Sequence, residues 1–121
     1  MKLERLPHAL TVCKVASVMD IDFDSSFFSV GKPDEEISLV CLADDTPAQT
    51  IEREDGWKGV RIEGVLDFSL IGILSRISGV LAESGIGIFA VSTYNTDYIL
   101  VKGDSFDKAA EALAAAGYSI I

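Results

Sequence analysis

From Val60 onward the spacing of apolar residues switches repeatedly between two periods, and that succession leaves few topologies open. VRIEGVL (60–66) sets Val60, Ile62 and Leu66 against Arg61 and Glu63, the period-two pattern of a strand. In SLIGILSRISGVLAESG, Leu70, Ile73, Leu74, Ile77 and Leu81 fall on one helical face. Ser69 is placed to cap its start and Gly85 to end it. IFAVSTY and YILVK then form a hairpin around the turn Asn95-Thr96-Asp97. A second helix follows in SFDKAAEALAAAG, with Phe106, Ala109, Ala110 and Leu113 on one side, Asp104 or Ser105 at its start and Gly117 at its end. The chain closes on YSII, short and β-prone. The order β-α-β-β-α-β is the ferredoxin-like split unit, an α+β fold.

The hairpin strands carry a further constraint. Ile88 to Val91 and Tyr98 to Val101 are apolar at successive positions, so both of their faces should be covered. Two helices cover one face; the other would fall to the first half of the chain or to a second copy. That first half reads as three strands, HALTVCKV, FFSV and ISLVCL, the last two joined by the turn Gly31-Lys32-Pro33-Asp34. No amphipathic helix stands between Val15 and Phe27. The acidic run from Asp44 to Trp57, interrupted by Pro47, has room for one short helix at most. The expected organisation is therefore a reduced copy over residues 1–56 and a complete unit over 57–121.

A net charge of −9 with no basic stripe argues against nucleic acid, and no apolar run is long enough to span a bilayer. MKLERLPHALTV has neither the continuous apolar core nor the cleavage site of a signal peptide, so a cytoplasmic protein is expected. Cys13 and Cys41, each inside an apolar strand, read as small buried hydrophobes in a reducing compartment. Two motifs invite a stronger reading. GIGIFA (85–90) spells a dinucleotide fingerprint, but a helix precedes it and a strand follows, the reverse of what pyrophosphate binding requires. DIDFDSS (20–26) opens like a calcium loop, yet Ser25 and Gly31 occupy the positions that need glycine and a bidentate glutamate. His8 is the only histidine and no nucleophile–base spacing accompanies it. No cofactor, no metal and no enzymatic activity are expected.

What remains is the juxtaposition of a helix start with a hairpin turn. A helix amino terminus offers unpaired N–H groups and a partial positive charge, suited to a carboxylate. Ile71 and Gly72 are expected in that first turn, where glycine lets a ligand approach the backbone. Asp97, or the Thr93 carbonyl, can receive an ammonium group. An anion site and a cation site in neighbouring elements make a zwitterion pocket.

The segment from Val60 to Tyr118 resembles the ACT domain, a small amino-acid-binding regulatory module. LIGILSRISGVLAESGIGIFAVSTYNTDYILV is more narrowly similar to the branch that includes the CASTOR arginine sensors and to small stand-alone bacterial ACT proteins. The resemblance implies a tandem of ACT-like halves, with ligand held at an interface between ACT units. It implies that Asp97, Thr93 and Tyr94 line the pocket. It further implies that the loop Asp67, Phe68, Leu70, Ile71, Gly72, Ile73 closes over the ligand; the helix-start reading adds backbone N–H groups at Leu70 to Gly72 as the site for its carboxylate. Two residues depart from the pattern. Asp67 lies five residues before Gly72 without the proline of common ACT turns, and Leu70 stands where the arginine sensors carry an acid. The expected ligand is accordingly an amino acid not restricted to arginine. The expected protein is a non-enzymatic sensor acting as a homodimer or on another protein. The alternative is a ligand-free dimerisation or interaction module of ACT architecture.

Overall fold

The computed structural model describes residues 1–66 and 71–121. Over these the chain runs β1 (Lys2–Arg5), β2 (Leu10–Val15), β3 (Phe28–Gly31), β4 (Ile37–Leu42), β5 (Glu52–Ile62), α1 (Ile73–Glu83), β6 (Phe89–Ser92), β7 (Asp97–Lys102), α2 (Phe106–Ala115) and β8 (Ser119–Ile120). Two units result: Met1–Pro7 with Lys58–Ile121, and His8–Trp57.

The carboxyl-terminal unit has the expected β-α-β-β-α-β order, with β1 added. That first strand, which sequence reading put in the other half, pairs antiparallel with β5 (Leu3 opposite Ile62) and parallel with β8 (Leu3 opposite Ile120). β7 joins β5 to β6. The reason is visible in KLER: Leu3 is fully buried in the cluster of Val60, Ile62, Ile77, Leu81, Ile99 and Leu113. Its neighbour Glu4 meets Arg61 across the strand pair at 3.6 Å.

Both helices end as their glycines predict. Gly85 (φ 73°) and Gly117 (φ 102°) adopt the left-handed conformation that other residues avoid. Ile86 N–H reaches back to the Leu81 carbonyl at 3.0 Å, and Tyr118 N–H to that of Leu113 at 3.1 Å. These are Schellman closures, each with an apolar residue beyond the glycine returning to the helix. β7 is buried at Ile99, Leu100 and Val101 in succession, as a strand covered on both faces must be. β6 differs from expectation: Val91 is buried but Ala90 and Ser92 are exposed. Among the described residues it pairs only with β7, and its exposed alternate positions show one face left open.

The amino-terminal unit is an antiparallel ladder in the order β3-β4-β2-β5. Its core holds Cys13, Val15, Ile21, Leu39 and Cys41. Both cysteines are free and buried. Burial pushes the Cys13 thiol up to about 11, and the neighbouring Cys41 adds to the shift. The acidic run forms a three-residue 3-10 turn (Ala43–Asp45) and then the start of β5 at Glu52, so its second half is strand and not helix. Charged residues are tolerated there because Glu52, Arg53 and Glu54 are exposed, with Lys14 placed 3.9 Å from Glu52.

One segment repeats. β4 and β7 are both six residues long, bury the same three inner positions, and pass directly into a three-residue 3-10 turn. The junction residues Leu42 (φ −62°, ψ 140°) and Lys102 (φ −61°, ψ 141°) are nearly superposable in conformation. The copies part immediately afterwards. In the second, Phe106 continues into α2; in the first, Thr46 is extended (ψ 132°) because Pro47 follows and disfavours helix in the preceding residue. Thr46 then closes the turn with its own hydroxyl, donating to the Ala43 carbonyl at 3.0 Å.

Candidate functional site

α1 begins three residues later than the sequence reading, with its cap at Ser69, placed it. Gly72 is the N-cap, in a left-handed conformation (φ 80°, ψ 9°), and among the described residues no side chain caps the helix. The first-turn N–H groups therefore belong to Ile73, Leu74 and Ser75. An alanine Cβ at position 72 would lie 3.2 Å from Nη1 of Arg76, whose guanidinium donates to the Ile71 carbonyl at 3.5 Å.

Strand alternation brings Asp97 to the same place. Asp97, Ile99 and Val101 share one face of β7, and the last two pack into the cluster with Ile77 and Leu81 of α1. The first residue of β7 is thus delivered to the helix side of the sheet. The turn before it is tightly held. Thr93 donates to the Thr96 carbonyl through both its N–H and its hydroxyl, each at 2.9 Å. Buried Thr96 donates to the carbonyl of Ile62 at 2.8 Å, tying the turn to the end of β5. Leu66 N–H adds a bond of 2.6 Å to the Asn95 carbonyl. None of these bonds uses the Asp97 carboxylate.

Between helix start and turn lies a hollow of about 280 Å³ within the carboxyl-terminal unit. Leu66, the segment Gly72 to Ser75 and the segment Thr93 to Asp97 line it. Of the residues expected from sequence, Gly72, Ile73, Thr93, Tyr94 and Asp97 are brought together there. Ile71 is not: it is 85% exposed and absent from the lining, because the helix starts after the glycine and leaves it outside. Asp67, Phe68 and Leu70, with the expected cap Ser69, lie outside the described residues. Leu66, Leu74, Ser75, Asn95 and Thr96 went unread. The Thr-x-x-Thr spacing of a side-chain-closed turn could have flagged Thr96; the others carry no local signal.

Residues 52–115 match the ACT domain family, more than half of the chain. The chain belongs to that family. Among solved structures, protein Atu0741 of Agrobacterium tumefaciens is 32% identical, with a TM-score of 0.87, over 99% of this chain and 91% of that one. The ligand-free regulatory subunit of aspartate kinase from Thermus thermophilus aligns at 11% identity and a TM-score of 0.60, over 95% and 96% of the two chains. Clostridium acetobutylicum aspartate kinase, an allosteric enzyme, aligns at 14% identity and 0.66; this ACT protein covers 33% of its length and 94% of its own. At those identities the two kinases share the fold alone. No curated protein matches the sequence. Among the described residues no helix is long and apolar enough to cross a membrane, and no group of His, Cys, Asp and Glu is placed to hold a metal ion.

Proposed function

We propose that this ACT protein is a non-catalytic regulatory module that binds an amino acid in the hollow between α1 and the β6–β7 turn. One observation carries the reading: the helix start at Gly72, with no side-chain cap among the described residues, and the carboxylate of Asp97 line the same cavity. The N–H groups of Ile73, Leu74 and Ser75 would take the ligand carboxylate, aided by the helix dipole. Asp97 would take its ammonium group through a charge-assisted hydrogen bond. At about 280 Å³ the hollow sits near the lower end of small-molecule pockets, which begin at about 300 Å³, as a single small metabolite requires. Leu66, Ile73 and Leu74 supply an apolar wall for its side chain. Binding would act by favouring one association state or partner complex over another. The regulatory-subunit relative from Thermus and the allosteric kinase from Clostridium agree with such a role.

Titration calorimetry with each of the twenty amino acids tests this, alongside Asp97→Asn. Saturable binding of at least one, weakened about tenfold to a hundredfold in the variant (about 1.4–2.8 kcal/mol), is the expected result. Equal affinity in the variant removes Asp97 from the site. A second reading, an interaction module without ligand, is favoured by exposed Val65, Ile71 and Tyr94 in the segments that line or flank the hollow. It predicts no binding to any of the twenty.

A further inference from the structure

The loop between β2 and β3, residues 17–26, takes no part in the hollow, and its construction calls for a different explanation. It is firmly built. Ser17 Oγ accepts from the Met19 N–H at 3.1 Å, Asp22 Oδ1 from the Asp24 N–H at 3.0 Å, and the Ser25 hydroxyl donates to the Asp45 carboxylate at 2.6 Å. Ile21 is 7% exposed and anchors the loop among Cys13, Val15, Leu39 and Cys41. The Phe23 ring meets Phe28 edge-to-face at 5.1 Å. Yet this anchored backbone holds Met19 90% exposed and Phe23 63% exposed, with Val18 beside them. Single exposed apolar residues are ordinary, but a Met and a Phe presented by one fixed loop form an interface anchor.

Charge identifies the occupant. Asp20, Asp22 and Asp24 are all exposed around those anchors. Between His8 and Trp57 eleven acidic residues face three basic ones, so this unit holds −8 of the chain's −9. A second copy docking through the same loop would set like charge on like charge, and nucleic acid or an anionic bilayer would be repelled for the same reason.

We propose that residues 17–26 are a docking surface for a basic protein partner, one whose Lys and Arg residues frame an apolar cleft that receives Met19 and Phe23. The aspartates then set approach rate and salt dependence, while the two apolar anchors set residence time. This surface stands independently of the ligand hollow.

A fluorescently labelled fourteen-residue amphipathic helix of lysine and leucine serves as the probe, with the glutamate–leucine counterpart as control. Anisotropy titrations should give saturable one-to-one binding of the lysine peptide that weakens with salt, and none of the control. The double variant Met19→Ser/Phe23→Ser, which keeps every charge, should lose about tenfold or more in affinity. Amide exchange on the unsubstituted protein should show protection gathered at residues 17–26, a reading that needs no variant. Failure of the lysine peptide to bind, unchanged affinity in the double variant, or protection elsewhere overturns the proposal. So does a dimer seen by sedimentation that the double variant abolishes, since a second copy would then be the occupant.

Discussion

At the scale of single residues, Gly72 and Cys13 each hold a conformation or a protonation state that another residue would not. The positive φ of Gly72 costs other L-residues about 1–2 kcal/mol, and a Cβ there also crowds the Arg76 guanidinium. Gly72→Ala should therefore destabilise the protein by about 1–2 kcal/mol in urea unfolding. It should weaken ligand binding as well, since the first-turn N–H groups lose their orientation. Cys13 makes a prediction about pH. Its folded pKa of about 11 lies above the ordinary thiol value of 9.0, so the folded state holds the thiol proton more tightly than the unfolded one. The stability tied to this proton is complete below pH 9.0 and is lost as pH rises toward about 11. Unfolding midpoints measured across that window should fall more steeply for the unsubstituted protein than for Cys13→Ala.

At the scale of elements, short segments are decided by what they pack on. β1 has four residues and little intrinsic β-propensity, yet it occupies a place between β5 and β8 because Leu3 fills the core beneath them. Leu3→Ala should cost about 2–5 kcal/mol, measured by chemical denaturation, although it sits in a strand of only four residues. The two copies of the strand–turn segment make the complementary point. Equivalent strands and turns lead to a helix in one case and to an extended residue in the other, and a single proline accounts for the divergence.

At the scale of the whole molecule, the duplication has not duplicated the site. The counterpart of Asp97, sixty residues earlier, is Ile37, at the first position of the matching strand. The counterpart of α1 is a three-residue turn, Val18–Asp20, whose Met19 N–H is already taken by Ser17. Neither the Asp97 carboxylate nor the α1 helix start has an equivalent at the matching positions of the amino-terminal unit. Calorimetry should accordingly saturate at one amino acid per chain; a stoichiometry of two would place a second site where these residues argue against one. The division of charge adds to this asymmetry: the amino-terminal unit carries nearly all the negative charge and the proposed docking loop. The periodicity of the carboxyl-terminal half, the capping glycines and the split β-α-β-β-α-β order were legible in the sequence, because each is a local pattern of spacing and backbone permission. So was the pairing of a glycine-bearing helix start with Asp97, since strand alternation and connection order bring such elements together. The membership of β1, the late start of α1 at Ile73, the strand through the acidic run and the wall formed by Leu66, Leu74 and Ser75 were not. Those depend on long-range contacts — Leu3 against Ile62, Leu66 against Asn95, Lys14 against Glu52 — whose partners lie far apart in the chain and leave no mark on local spacing.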